Sequence, residues 1–344
     1  MCPEKHQDIV QKLWKGNLAQ YFENRLNWLD SENPYGQAKI FLAIFDDTEE
    51  IIGSGSSFPR KMFINGRDAI QGVAVDFNVK KDHRTFKPAV KIQRAVAESV
   101  KEAEYDYIFV FPNQASKGVF TRVGYKVLGM SKNYAKVLRS EKKLINFVKI
   151  SVIAKMFGFF LDRLLWLMDL RFYLIKPRNL TIEILKSCDE RFDKLWKTAK
   201  TNYNIIGEKS SAFLDWRYSK FEGQQYLFFC LFDETKKNLK GYVTYSINNN
   251  IARIEDIFAE SLNNIIVFLL SEFSKQMRKQ KVDSISFAYL GNDFFLTLIK
   301  KLNFVERPGV RPCMLLLNKN YPQESRKIML DKNNWFIFDG EMDF

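Results

Sequence analysis

Asp76-Phe-Asn-Val-Lys-Lys-Asp-His-Arg84-Thr-Phe-Lys-Pro-Ala89-Val-Lys-Ile-Gln-Arg94 runs from the end of a strand, through a basic turn, into the first turn of a helix. On the strand side, the alternation over Ala69 to Val79 predicts Val73, Val75, Phe77 and Val79 on one face and Ala74, Asp76 and Asn78 on the other. On the helix side, Pro88 suits a first-turn position, where its missing N–H costs nothing. A turn of this kind aims unpaired backbone N–H groups and the positive end of the helix dipole at one point, which suits a phosphate or pyrophosphate. Lys80, Lys81, Arg84 and Lys87 surround that point, although an ordinary basic helix start reads the same way.

Outward from that turn, a definite order of elements appears. Upstream, Val10, Leu13, Leu18, Tyr21, Leu26 and Leu29 recur at helical spacing and predict a helix over Asp8 to Leu29. Strand Lys39 to Phe45 turns through Asp46-Asp47 into a second strand, and Asn65-Gly66 supplies the positive φ values of a type I′ hairpin. Downstream, helix Pro88 to Glu104 leads to strand Tyr107 to Phe111, and a short helix ends at Gly124-Tyr125.

The same order recurs later in the chain. Arg25-Leu-Asn-Trp28-Leu-Asp-Ser overlays Phe213-Leu-Asp-Trp216-Arg-Tyr-Ser, and Gly36-Gln37 overlays Gly223-Gln224. The run Ile40 to Phe45 before Asp46-Asp47-Thr48 matches Leu227 to Phe232 before Asp233-Glu234-Thr235, all at an offset of 187 to 188 residues. A second block repeats at 179, with Tyr107 to Asn113 against Ser286 to Asn292 and Val123-Gly124-Tyr125 against Leu302-Asn303-Phe304. Self-similarity of this kind predicts two related domains, 1–140 and 181–344, joined by a linker over 141–180.

With 344 residues, 46% apolar and 27% charged, the chain has a globular composition, which excludes disorder, a collagen-like repeat and a disulfide-stapled miniprotein. Its 53 basic and 40 acidic residues leave +13, favouring anionic partners: coenzyme phosphates, acidic carrier proteins, lipid headgroups or nucleic acid. Cys2, Cys188, Cys230 and Cys313 form no CxxC pair and His6 and His83 are the only histidines, so no metal site is expected. Sparse cysteine and a polar start without an apolar h-region lead to the expectation of a cytoplasmic protein.

Residues 141–180 carry eight basic and three acidic side chains and also the most apolar run, from Leu144 to Phe172. Lys155, Asp162, Arg163, Asp169 and Arg171 interrupt that run and argue against a simple membrane span. Two readings stand: an amphipathic helical linker packed on both domains, or an interfacial helix making peripheral membrane contact through 144–176.

Order, turn and helix together resemble the GCN5-related N-acetyltransferase superfamily, whose acyl-CoA loop reads Arg/Gln-x-x-Gly-x-Gly/Ala. Arg84-Thr-Phe-Lys87-Pro-Ala89 fits the first and last positions and has Lys where the central Gly is expected. Phe111-Pro-Asn113-Gln-Ala-Ser116, leading to Phe120-Thr-Arg-Val-Gly124-Tyr125, is similar to the strand and aromatic helix that close that fold. The repeat extends the likeness to a two-copy form, similar to acyltransferases associated with bacterial polysaccharide biosynthesis. The fold class implied is α/β of the α+β kind: two such domains, each a mixed, mostly antiparallel sheet flanked by helices.

What the resemblance implies is acyl transfer from acetyl-CoA or another acyl-CoA to an amine, such as that of an amino sugar or amino acid derivative. Arg84, Thr85, Phe86, Lys87, Pro88 and Ala89 would bind the pyrophosphate, and Phe77, Asn78 and Val79 the pantetheine arm. Lys87 would either turn outward beside the phosphates or block them. Asp76 is the first base candidate, with an exposed strand carboxylate as the alternative. Asn113 and Ser116 would orient the thioester or a water. The acid that a Tyr often supplies is missing, because Phe120 stands there. Glu260-Ser-Leu-Asn-Asn-Ile265 replaces the loop in the second copy, which would shape the acceptor pocket through Trp216 and Arg217. The tail carboxylates Asp339, Glu341 and Asp343 would close over the cleft and hold a cationic amine, or simply fray. An acyl carrier protein is a further donor to consider, and nucleic acid is not an expected partner. The rivals are a Fem-type aminoacyl-tRNA-dependent transferase and an inactive tandem copy that binds a membrane or partner.

Overall fold

The computed structural model describes residues 4–18, 24–45, 48–102, 104–140, 151–173, 179–221 and 223–342. Its strands are β1 (Lys39–Phe45), β2 (Glu50–Ile64), β3 (Arg67–Val79), β4 (Tyr107–Val110), β5 (Lys126–Val137), β6 (Leu180–Leu185) and β7 (Ile205–Gly207). They continue with β8 (Leu227–Asp233), β9 (Leu239–Asn248), β10 (Ile251–Ala259), β11 (Ser284–Gly291), β12 (Val305–Leu317) and β13 (Phe336–Phe338). All join one mixed sheet in the order β1-β2-β3-β4-β12-β5-β11-β10-β9-β8-β6, with β7 on β2 and β13 on β11.

That order reads alike from both sides of its centre. β1 to β4 run toward the middle from one edge and β8 to β11 from the other side, where β6 adds an outermost strand, while β5 and β12 lie at the centre, each beside the other half. β12 pairs with β4 through Met314↔Val110 to Leu317↔Tyr107, and β5 pairs with β11 through Val137↔Ser284 to Lys132↔Tyr289. β1 and β8 begin 188 residues apart, at Lys39 and Leu227, and β5 and β12 begin 179 apart, at Lys126 and Val305. The two sequence offsets therefore reappear as strand starts. The short helices before β5 and β12 are capped alike: the Asn113 side chain accepts from the Ser116 N–H, and the Asn292 side chain from that of Phe295.

Helices Phe86–Lys101 and Gln114–Val123 cover one face of the first half, where Val96, Val100 and Phe120 pack on Ala74, Ile108 and Val110. The other face joins the main core, which runs through both halves and includes Trp14, Trp28, Trp216 and Trp335. Asn65 and Gly66 take the expected positive φ values at the β2–β3 hairpin.

Two expectations are corrected. The single helix over Asp8 to Leu29 is instead a helix Glu4–Asn17 and a separate short one, Arg25–Asp30. The C-terminal residues do not form a cover over a cleft: β13 adds antiparallel to β11, and Asp339 to Met342 are buried. Its aromatic side chains drive this, since Trp335, Phe336 and Phe338 are each almost wholly removed from water. Asp343, Asp46 and Asp47 lie outside the described residues.

Candidate functional site

β3 and β4 run parallel but stay paired only through Gln71↔Tyr107, Gly72↔Ile108 and Val73↔Phe109. Beyond that point they part, and a wedge opens between Val75-Asp76-Phe77 on one side and Val110-Phe111-Pro112 on the other. The wedge holds a cavity of about 270 Å³, also lined by Leu18, Phe109, Phe120, Arg311 and Glu341. A second cavity of about 520 Å³ lies toward the helix start, lined by Phe77, Asn78, Val79, Arg84, Thr85, Phe86 and Ala89. Phe77, Asn113 and Ser116 belong to both. One trough thus leads from the basic turn to the wedge.

The turn itself is a short 3-10 segment, Lys81–His83, followed by Arg84 and by Thr85 in extended conformation, and the helix begins at Phe86. Arg84 Nε donates to the Val79 carbonyl at 2.9 Å, tying the turn across its mouth. The first-turn N–H groups of a helix have no intrahelical partner, and two first-turn residues, Phe86 and Ala89, line the second cavity, a placement that suits a diphosphate. Lys87 and Pro88 sit differently from the expectation. They border a neighbouring groove with Phe41 to Phe45 and Lys91, on the other side of the helix start. Lys87 is exposed there and does not enter the trough.

The strand face predicted for β3 is corrected by a bulge. Register with β2 jumps from Ser56↔Val75 to Ser54↔Asn78, so Asp76 and Phe77 together oppose Gly55. Asp76 takes φ of 53°, and the alternation slips by one. Val73 and Val75 face the main core, while Ala74 and Phe77 face the helices. The Asp76 carboxylate is thereby buried, and Arg25 reaches its Oδ1 with Nε at 2.8 Å and a terminal nitrogen at 2.7 Å. Asn78 and Ser54 both donate to the Asp76 carbonyl, and the Trp14 indole donates to Ser54. Asp76 lines the wedge, but as half of an internal ion pair, which is a correction to its reading as a base.

Asn113 and Ser116 do reach the junction of the two cavities. The Asn113 side-chain oxygen accepts from the Ser116 N–H at 2.9 Å, so its first duty is the helix cap. Phe120 is buried edge-on against Phe77 and Tyr125. Burial pushes the Tyr125 phenol, just beyond the end of this helix, well up. Arg311 went unmarked in the sequence: it is carried to the wedge by β12, from the far half of the chain. No local motif surrounds it that could have revealed this.

Of the four residues expected at an acceptor site, Trp216, Arg217 and Asp339 line neither cavity, which is a correction, while Glu341 lines the wedge but is held by internal partners. Trp216 and Arg217 are buried. Trp216 stacks on Trp28, and Arg217 donates to the carbonyls of Gly340 at 3.0 Å and Met342 at 2.6 Å. Asp339 accepts from the Ala288 N–H and pairs with Arg253 at 3.2 Å. Glu341 meets Arg60 at 2.8 Å and Lys209 at 2.8 Å, and Lys209 meets Asp256 at 2.8 Å. Burial opposes ionisation of Glu341, but Arg60 and Lys209 outweigh it and hold the carboxyl below its ordinary range. Gly207 makes room for this cluster, since a Cβ there would collide with the Arg60 guanidinium. None of these carboxylates is left for a cationic ligand.

No family model matches the chain, and no curated protein matches it. Solved structures do. A GCN5-related N-acetyltransferase from Anabaena variabilis aligns over 91% of this chain and 70% of its own, with 12% identity and a TM-score of 0.64. A probable N-acyltransferase of Enterococcus faecalis aligns over the same shares with 11% identity and a TM-score of 0.64. Saccharomyces cerevisiae N-myristoyltransferase, solved with myristoyl-CoA, aligns over 92% and 76% with 12% identity and a TM-score of 0.54. Identity this low speaks to architecture alone, and on that ground the chain has the fold of the GCN5-related N-acetyltransferases.

Proposed function

We propose that this chain transfers an acyl group, acetyl in the simplest case, from an acyl-CoA to the amine of a small molecule such as an amino sugar or amino acid derivative. The observation that carries the reading is the trough: a helix start with free N–H donors joined, through Phe77, Asn113 and Ser116, to a wedge between parting parallel strands. When bound, the coenzyme supplies an activated thioester. The first-turn N–H groups of Phe86 and Ala89, both of which line the second cavity, hold its diphosphate, and the backbone of Phe77 to Val79 orients its arm. Where β3 leaves β4, backbone N–H groups face the wedge and stabilise charge on the carbonyl oxygen. Because Asp76 is taken by Arg25 and Glu341 by Arg60 and Lys209, the acceptor reacts as a free amine and gives its proton to solvent. The reading assigns the coenzyme to the first copy of a tandem pair; a polysaccharide-related acceptor and an acyl carrier donor remain part of it.

Calorimetry with acetyl-CoA, longer acyl-CoAs and free CoA tests this. Binding of at least one, weakened in Arg84→Ala, is expected, and no heat with any of them overturns it. A second reading, a copy that binds coenzyme without turning it over, is favoured by Phe120 and by the occupied carboxylates. Binding without thiol release across a panel of amines would select it.

A further inference from the structure

Helix Ser151–Tyr173 is built inside out. Its inner row is Asp162, Leu165, Asp169 and Phe172, spaced as one helical face. Asp162 accepts from the Ser140 N–H at 2.7 Å and from its hydroxyl at 2.8 Å. Asp169 is wholly buried and accepts from Lys136 at 2.8 Å, Arg278 at 2.8 Å and Asn303 at 3.0 Å. Carboxylates therefore fasten the helix to the body. The opposite row is apolar and bare: Phe160 is 65% exposed, Leu164 54% and Leu167 55%, with Phe159 and Met168 beside them. A helix packed on a globular body normally turns its apolar stripe inward. Here polar bonds hold the inner face, and the stripe is displayed.

We propose that this face docks in the plane of a lipid bilayer whose headgroups are anionic. Charge decides the occupant. Residues 141–180 hold eight basic and three acidic side chains, and two of those acids, Asp162 and Asp169, are turned inward and consumed by protein donors. Arg163 is exposed along the apolar stripe, Arg171 is exposed with its guanidinium donating to the Lys301 carbonyl at 3.2 Å, and Lys142, Lys143 and Lys149 precede the helix in sequence. An apolar strip flanked by cations matches acyl chains below phosphate headgroups, and each cation near an anionic surface adds to binding. No helix among the described residues is long and apolar enough to cross a membrane, so the helix lies along the surface.

Flotation of the full chain with phosphatidylcholine vesicles and with phosphatidylcholine–phosphatidylglycerol vesicles tests this. The wild-type chain is expected to float with the anionic vesicles and to lose that binding as salt rises. Phe160→Ser/Leu164→Ser/Leu167→Ser is expected to weaken vesicle binding by about tenfold or more. These side chains are exposed, and an unchanged unfolding midpoint checks that the body is intact. Failure of the wild-type chain to float overturns the proposal, as does equal flotation by the triple variant. So does a dimer, seen by sedimentation velocity, that the variant abolishes while vesicles are ignored, because the face is then an interface between copies. Coenzyme binding is independent of all these outcomes.

Discussion

Trp28 and Trp216 stack with ring centroids 4.4 Å apart and planes 12° from parallel, and each indole N–H donates to the other residue's backbone carbonyl, at 3.0 Å and 2.8 Å. They are the two tryptophans that the sequence repeat aligns, 188 residues apart. The contact is reciprocal, and Arg217 lies over the Trp28 ring at 5.5 Å. Replacing either by Ala should cost about 3–5 kcal/mol in urea unfolding. Because one removal already abolishes the ring stack, the double variant should cost clearly less than the sum. Additive losses would refute the coupling.

The cluster of Arg60, Glu341, Lys209 and Asp256 is buried and internally balanced. Glu341→Ala leaves two buried cations facing one carboxylate and should destabilise by about 3–5 kcal/mol. Glu341→Met/Lys209→Met, which removes one charge of each sign, should recover part of that loss in thermal unfolding. Equal loss in both would show that shape, and not charge, matters there.

Glu255, at the bulge of β10, is buried beside Asp339, and burial first, then that neighbour, pushes its pKa up to about 7 against the pull of Arg253 and Arg217; Asp256 also raises it. Between its ordinary value near 4.5 and about 7, the folded chain holds this proton and the unfolded chain does not. Stability therefore falls as pH rises through that window, by on the order of 3 kcal/mol. Glu341 and Asp169 act oppositely, since their lowered values contribute stability that is lost as pH falls below the ordinary carboxylate range. Glu255→Gln should flatten the stability curve between pH 5 and pH 7. An unchanged slope would assign it to other groups.

Lys87 stands where the resemblance leads one to expect Gly, yet its side chain borders the groove beside β1 and not the trough. Lys87→Ala should therefore change acetyl-CoA affinity by less than about fivefold, the scale of an exposed charge. Arg84→Ala removes the bond across the turn to Val79 and a cation beside the trough, and should weaken it by about tenfold or more. Calorimetry on both separates a tolerated departure from a blocking one.

The amino-acid sequence by itself determined what repeats and what is local. The two offsets, the Asn65-Gly66 turn, the strand-turn-helix at Asp76–Arg94 and the short capped helix at Asn113 are set by nearest neighbours, and each appears where the residues place it. Tertiary structure alone decided the rest. The bulge at Asp76-Phe77 exists only against Gly55 of β2, so no pattern within β3 could show that the alternation slips or that Asp76 meets Arg25, 51 residues away. The placing of β5 and β12 beside the opposite halves brought Arg311 to the wedge, and the burial of Phe336 to Phe338 drew Glu341 onto Arg60, 281 residues distant. Helix Ser151–Tyr173 shows the same division: its apolar content was plain in the sequence, but which face turns outward was fixed by Lys136, Arg278 and Asn303 claiming Asp169.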